Sequence, residues 1–125
     1  MKALLLRQLG DLDTLAAPLE LADVPDPIPG PGEVLIRVSA CGVCHTELDE
    51  IEGRTPPPVL PVIPGHQVVG RVVQCGPRPT ALKPGARVGV GWIYSACGHC
   101  DYCRRGSENL CPAFRATGRD ANGGY

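Results

Sequence analysis

The sequence has no G-x-G-x-x-G run and no alternation of strands with helices to carry one, so no dinucleotide-binding Rossmann unit is expected in it. No apolar stretch approaches the roughly 20 residues of a transmembrane helix. Met1-Lys2 precedes a short apolar run, but Arg7, Gln8 and Asp11 interrupt it and no small-residue cleavage pattern follows. Neither a membrane span nor an export signal is expected, which together with reduced cysteines points to the cytoplasm. No long run of one sign of charge occurs and the formal net charge is -1, so nucleic acid and anionic membrane are not favoured partners. No internal repeat is apparent.

Glycine and proline, by contrast, are plentiful at 16 and 14. Alone they would suit disorder. The valines and isoleucines, however, fall into short blocks bounded by Gly and Pro, the pattern of a mainly β domain with many turns. A length of 125 residues fits one domain with a modest core. Lys2 to Leu6 reads as a first strand, followed by a loop through Pro18 and a rigid connector from Pro25 to Gly32. Glu33 to Ala40 alternates, with Val34, Ile36, Val38 and Ala40 on one face, Glu33, Arg37 and Ser39 on the other, and Leu35 out of pattern. His45 to Glu52 predicts one or two turns of helix ended at Gly53. The prolines at 56–58 and 61–64 enforce an extended path to Gly65-His66. Gln67 to Gln74 reads as a second β block in which Gly70 marks a bulge or the close approach of another backbone. After a loop from Pro77 to Gly85, Arg87 to Trp92 alternates again. The tail from Gly118 to Tyr125 reads as a turn followed by nothing.

The most informative feature is Cys97-Gly-His-Cys100-Asp-Tyr-Cys103, closed by Cys111. Thiolates two residues apart converge on one ion because a tight turn brings both sulfurs to the same side, and four complete the tetrahedral shell of a structural zinc. The intervening Gly, Asp and Arg suit a loop folded around an ion rather than a strand or helix. An iron–sulfur cluster is an alternative, since C-x2-C-x2-C also opens bacterial ferredoxin sites, but the last gap is too long and no second cysteine set exists. A disulfide is a third reading, and seven cysteines leave one over. His99 lies inside the run, where four sulfurs already fill the shell. A second constellation, Cys41-Gly-Val-Cys44-His45-Thr46 with Gly65-His66-Gln67, is weaker: Cys41 reads as a small buried residue, and His66 as a loop residue or a ligand.

Cys-Gly-Val-Cys-His-Thr-Glu-Leu, Pro-Gly-His-Gln-Val-Val-Gly, the Pro-Gly-x-Arg-Val segment at 84–88 and the four-cysteine lobe, in this order and spacing, resemble the zinc-dependent alcohol dehydrogenases of the medium-chain family. The resemblance runs along the whole chain. It implies a GroES-like, partly open β-barrel with short helices and a zinc-tied lobe at 94–113, with residues 1–125 forming the N-terminal part of a catalytic domain. It also implies a catalytic Zn2+ on Cys44 and His66, a structural Zn2+ on Cys97, Cys100, Cys103 and Cys111, and Thr46 bonding the alcohol oxygen and passing on its proton. His45 would lie near the pyrophosphate of NAD or NADP. The implied substrate is a small alcohol or aldehyde, and the implied partners are a further copy of the chain or a cofactor domain. Cys41 has no ligand role in the family, and Cys75 matches nothing.

Two positions depart from the family pattern. Gln67 stands where a carboxylate is common, which leaves zinc a stronger polariser of the alcohol. Asp49 stands where many relatives end the proton relay with histidine, and it reads as a relay carboxylate or as a solvated helix residue. The family's third catalytic ligand, a cysteine, lies beyond Tyr125, ahead of the cofactor domain. The expectation is therefore a chain that ends early, binds zinc and does not turn over alone. The competing class is a zinc-stabilised binding or assembly module without catalysis. Convergence of Cys44 and His66 is what separates the two.

Overall fold

The computed structural model describes residues 1–78 and 81–125. Strand β1 (Lys2–Leu5) pairs antiparallel with β2 (Glu20–Asp23), Lys2 opposite Asp23 and Leu5 opposite Glu20. β2 is absent from the sequence reading for a physical reason: it is short and largely exposed, so no buried alternation marks it. Leu6 continues β1 as a bridge to Val62, exchanging backbone hydrogen bonds of 2.9 and 3.1 Å.

The main sheet has the order β3-β4-β5, all antiparallel: β3 (Val34–Gly42), β4 (Gln67–Cys75) and β5 (Arg87–Val90). β4 alternates cleanly, with Val68, Gly70 and Val72 buried between exposed Gln67, Val69 and Arg71. β3 does not follow the expected division of faces. Its register shifts between Leu35 and Ile36 and again between Val38 and Ala40, and Val38 is 43% exposed. The first shift passes over Val73 of β4 and the second over Ser39 of β3, and the extra residue at Ser39 breaks the alternation of β3 by sequence position. At Gly70 the expected close approach is present: a methyl group there would strike the Arg37 carbonyl. β5 stops at Val90 instead of running to Trp92, and β6 (Ile93–Ser95) leaves to pair with β7 (Arg115–Ala116). Of the predicted loop from Pro77 to Gly85, residues 79 and 80 lie outside the described residues. The strands form three small sheets, and no closed barrel is present among the described residues.

Helix α1 (His45–Ile51) begins after Cys44 and gives way to Gly53, whose φ of 77° ends it as the sequence predicts. The core is two small clusters, Ala3, Leu5 and Ile63 in one, Leu6, Ile51 and Val62 in the other. The proline-stiffened segment before His66 thus lies between β1 and α1, which fixes where His66 emerges. The chain end is a further correction. Residues 118–125 are not a turn followed by nothing: the amides of Gly123, Gly124 and Tyr125 donate to the carbonyls of Ile63, Gly65 and Pro64 at 2.7, 3.0 and 3.2 Å. The Tyr125 hydroxyl donates to the Gly42 carbonyl at 3.0 Å. This fit needs the glycine pair, because a Cβ at Gly123 would strike the Gly65 carbonyl. Among the described residues no helix is long and apolar enough to cross a membrane.

Candidate metal centres

β6 and β7 clamp the ends of the cysteine lobe. Between them lie α2 (Asp101–Arg104), which starts directly after Cys100, and a 3-10 turn at Glu108–Leu110 that delivers Cys111. The lobe is therefore not purely loop: a single helical turn carries Cys103 back over Cys100. The four sulfurs lie within 4.8 Å of one another. Cys100 Sγ and Cys103 Sγ are 3.5 Å apart and Cys97 Sγ and Cys103 Sγ 3.9 Å, well beyond the ~2.05 Å of a disulfide, and all seven cysteines are free. Backbone amides face the sulfurs: Cys100 N–H donates to Cys97 Sγ at 3.3 Å, Cys97 N–H to Cys111 Sγ at 3.4 Å and Ala113 N–H to Cys111 Sγ at 3.3 Å.

The thiols are split accordingly. Amides of His99 and Cys100 hold the Cys97 thiol down to about 6, whereas desolvation, reinforced by the neighbouring sulfurs, pushes Cys103 up to about 12. Four thiolates at this spacing repel one another unless a cation sits among them, so the donor set fits a thiophilic divalent ion. His99 is turned away, its Nδ1 2.8 Å from the Cys97 carbonyl.

The second group is assembled from distant parts of the chain. Gly42, at the end of β3, pairs with Gln67, the first residue of β4, and this register brings Cys44 beside His66. Glu47, one turn into α1, joins them, and ligand atoms of Cys44, Glu47 and His66 lie within 4.8 Å of one another. Glu47 is 2% exposed and His66 6%. Oε2 of Glu47 accepts the Cys44 amide at 2.8 Å, while Oε1 stands 2.6 Å from His66 Nδ1. That approach is close enough for an ion pair but lacks hydrogen-bond alignment, and neither atom has another partner among the described residues. A buried carboxylate oxygen and imidazole nitrogen left in this state fit a site completed by a cation. A shallow depression of about 490 Å³, lined by His66, Gln67, Val69, Val90 and Trp92 among others, opens beside it.

The remaining predicted residues lie around this group. Thr46 Oγ1 is 3.6 Å from Cys44 Sγ. His45 projects into solvent with Nδ1 3.3 Å from Asp49 Oδ2, and Asp49 also pairs with Arg54, which holds its carboxyl below the usual range. Cys41 is half-buried and its thiol is raised by desolvation; Cys75 donates to the Leu82 carbonyl at 3.5 Å. Three residues escaped the sequence reading. Glu47 had a usable signal, since Cys44-x-x-Glu47 has the N-cap and N3 spacing of a capping pair. Glu50, 1% exposed with both oxygens unpartnered, gave none; burial, then the charge of Glu47, pushes its carboxyl up to about 7. Tyr125 gave none either; burial and the nearby Glu47, Cys41 and Cys44 push its phenol up to about 12.

Residues 30–125 match the family model described as alcohol dehydrogenase GroES-like domain. An alcohol dehydrogenase of Geobacillus stearothermophilus is 51% identical over 109 residues, covering 86% of this chain and 32% of that protein. Among solved structures, an NAD-dependent alcohol dehydrogenase superposes with a TM-score of 0.88 at 33% identity, covering 98% of this chain and 35% of the other. A thermostable alcohol dehydrogenase from Pyrobaculum aerophilum, with cobalt and zinc bound, gives 0.88 at 34% identity, covering 100% and 37%. The chain spans about a third of the length of the curated relatives it matches.

Proposed function

The chain belongs to the alcohol dehydrogenase GroES-like domain family, and on that premise we propose that it is the metal-bearing, substrate-facing part of a zinc-dependent alcohol dehydrogenase. The reaction is oxidation of a small alcohol to an aldehyde or ketone, with hydride passing to NAD or NADP. What carries this reading is the convergence of Cys44, Glu47 and His66 from separate elements into one half-buried group. An assembly module would need only the cysteine lobe and would have no use for a second, costly cluster of buried ionisable groups.

Cys97, Cys100, Cys103 and Cys111 would hold a structural zinc, and Cys44 with His66 a catalytic one. Bound there, zinc supplies Lewis-acid polarisation of the substrate oxygen. Glu47 fixes the site from both sides, accepting the Cys44 amide and facing His66 Nδ1, which leaves Nε2 as the ring nitrogen free to ligate. Thr46 presents a hydroxyl that both accepts and donates, as a proton relay requires. Asp49, ionised beside Arg54, orients His45 instead of taking up a proton; the exposed His45 ring is placed for contact with an anionic cofactor. Seven free thiols suit the cytoplasm.

Metal analysis tests the assignment. The chain as purified is expected to bind two zinc equivalents, one tight and one weaker. Cys44→Ala or His66→Ala is expected to remove only the weaker one, and Cys103→Ala the tighter. Alone, the chain of residues 1–125 is expected to reduce no NAD or NADP. Supplied with a family cofactor domain, it is expected to do so in a manner that Cys44→Ala abolishes. Two equivalents unaffected by Cys44→Ala and His66→Ala would overturn the site.

A further inference from the structure

β3, β4 and β5 each carry an arginine at the same level of the sheet. Arg37 lies opposite Arg71, and Arg71 opposite Arg87. Directly opposed residues of antiparallel strands project from the same face, so three guanidiniums form a row across the sheet. It is the open face: Val69, Arg71 and Val73 of β4 are exposed there, while Val68 and Val72 point into the protein. With strands ~4.8 Å apart, the outer two arginines leave the backbone about 10 Å from each other.

Such a row is unfavourable in itself, because like charges opposed across strands destabilise a sheet. Among the described residues no acidic side chain offsets it. None of the three arginines forms an ion pair among the described residues, and Arg71 gives one N–H to the Gly85 carbonyl at 3.0 Å. The local sequence has no acid to offer: no Asp or Glu occurs between Glu52 and Asp101, whereas Arg54, Arg71, Arg78, Lys83 and Arg87 all fall in that interval. A chain of formal net charge -1 thus gathers uncompensated positive charge on the outer face of one sheet.

We propose that this row is a docking surface for an acidic polypeptide, a helix of a partner protein whose Asp or Glu side chains recur at i, i+3 or i+4. Side chains at that spacing stand about 5–6 Å apart, commensurate with the strand spacing of the row. Each guanidinium offers a fork of donors that matches a carboxylate bidentately. Val69 and Val73, 38% and 39% exposed on either side of Arg71 along β4, flank the row and give apolar contact to the two sides of the helix. A lone phosphate on so open a face would stay largely hydrated and leave the valines unused. The three arginines lie outside both metal groups and outside the depression beside His66, which Val69 also borders.

The probe is a labelled helical peptide with Glu at every fourth position, compared with its Gln counterpart and titrated onto the full chain at low salt by fluorescence anisotropy. The Glu peptide is expected to bind at least tenfold more tightly, with affinity falling steeply as salt rises. Arg71→Glu is expected to abolish that preference and to raise the melting temperature, since repulsion on both sides becomes attraction. A variant at an exposed arginine outside the β3-β4-β5 sheet, Arg7→Gln, is expected to leave binding unchanged. If Arg71→Glu does not fold, the double substitution of Arg37→Gln with Arg87→Gln gives the same reading. Equal binding of the two peptides, undiminished binding by the arginine variants, or tighter binding of inorganic pyrophosphate or single-stranded DNA would overturn the proposal.

Discussion

The two candidate metal centres are built in opposite ways. The lobe draws its sulfurs from one short stretch, Cys97 to Cys111, and has few buried apolar side chains; Cys111 and Ala116 are the buried hydrophobic residues between Ile93 and Ala116. The Cys44–His66 group draws on the end of β3, the first turn of α1 and the start of β4, and rests on sheet pairing, on the Leu6–Ile51–Val62 cluster and on buried carboxylates. Local assembly closes only short loops, so an ion can order it with little help from the rest of the fold. Non-local assembly needs the fold first and gains the ion afterwards. The lobe is a place where metal makes structure, and the other centre one where structure makes a site for metal.

Metal removal is the largest lever on this contrast, because structural zinc contributes on the order of 10 kcal/mol to a domain it organises. Chelation, or Cys103→Ser, is expected to open the chain to proteolysis between Ile93 and Ala116 while amide protection in β3, β4 and β5 persists. Simultaneous loss of both would erase the distinction. Next in size is Glu47→Ala. Removing the carboxylate leaves the Cys44 amide without its acceptor, at about 1–3 kcal/mol, and loss of the carboxylate beside a ligating histidine weakens metal binding about 10- to 100-fold. Thermal unfolding and cobalt titration are expected to show both effects, with the lobe's metal retained.

Glu50 gives a pH-dependent test. Its carboxyl is raised from 4.5 to about 7 by burial and then by Glu47. Between those values the folded chain keeps a proton that the unfolded chain has released, so stability is full below the lower value and falls as pH rises through the upper one. Glu50→Gln is expected to remove that fall, a gain on the order of 3 kcal/mol at pH 8 and none at pH 4, read as melting temperature against pH. The smallest effect belongs to the lobe: Arg115→Gln removes a cation lying 5.2 Å from the centre of the Tyr94 ring and is expected to cost about 0.5–1 kcal/mol in the metal-bound chain.

The strands at Gln67–Cys75 and Arg87–Val90 and the helix at His45–Ile51 are legible because Gly or Pro lies close on each side and each shows its own period, and Lys2–Leu5 because it is an apolar run cut off by Arg7 and Gln8. β2, β6 and β7 are not, being short and half-exposed, with pairing settled by partners far along the chain. In the sites, residue type and spacing pointed to Cys97, Cys100, Cys103 and Cys111, while Cys44, His66 and Thr46 came from the family resemblance. Glu50 and Tyr125 were invisible because an isolated acid or phenol carries no mark of burial in its sequence neighbours. The tail misled for a similar reason: Gly123 and Gly124 read as part of a turn with nothing after it, yet the missing side chains are what let the backbone close on Gly65.

The spacing of Cys97, Cys100, Cys103 and Cys111 by itself determined that one stretch could gather four sulfurs, since a turn with so few residues allows little else. The period of apolar residues between Gly and Pro determined, too, that the blocks at Gln67–Cys75 and Arg87–Val90 would be strands. Only the tertiary structure decided that Cys44 and His66 meet, that Glu47 stands between them, and that Arg37, Arg71 and Arg87 align. Those outcomes depend on strand register, and a slip of one residue would turn each side chain to the opposite face of the sheet.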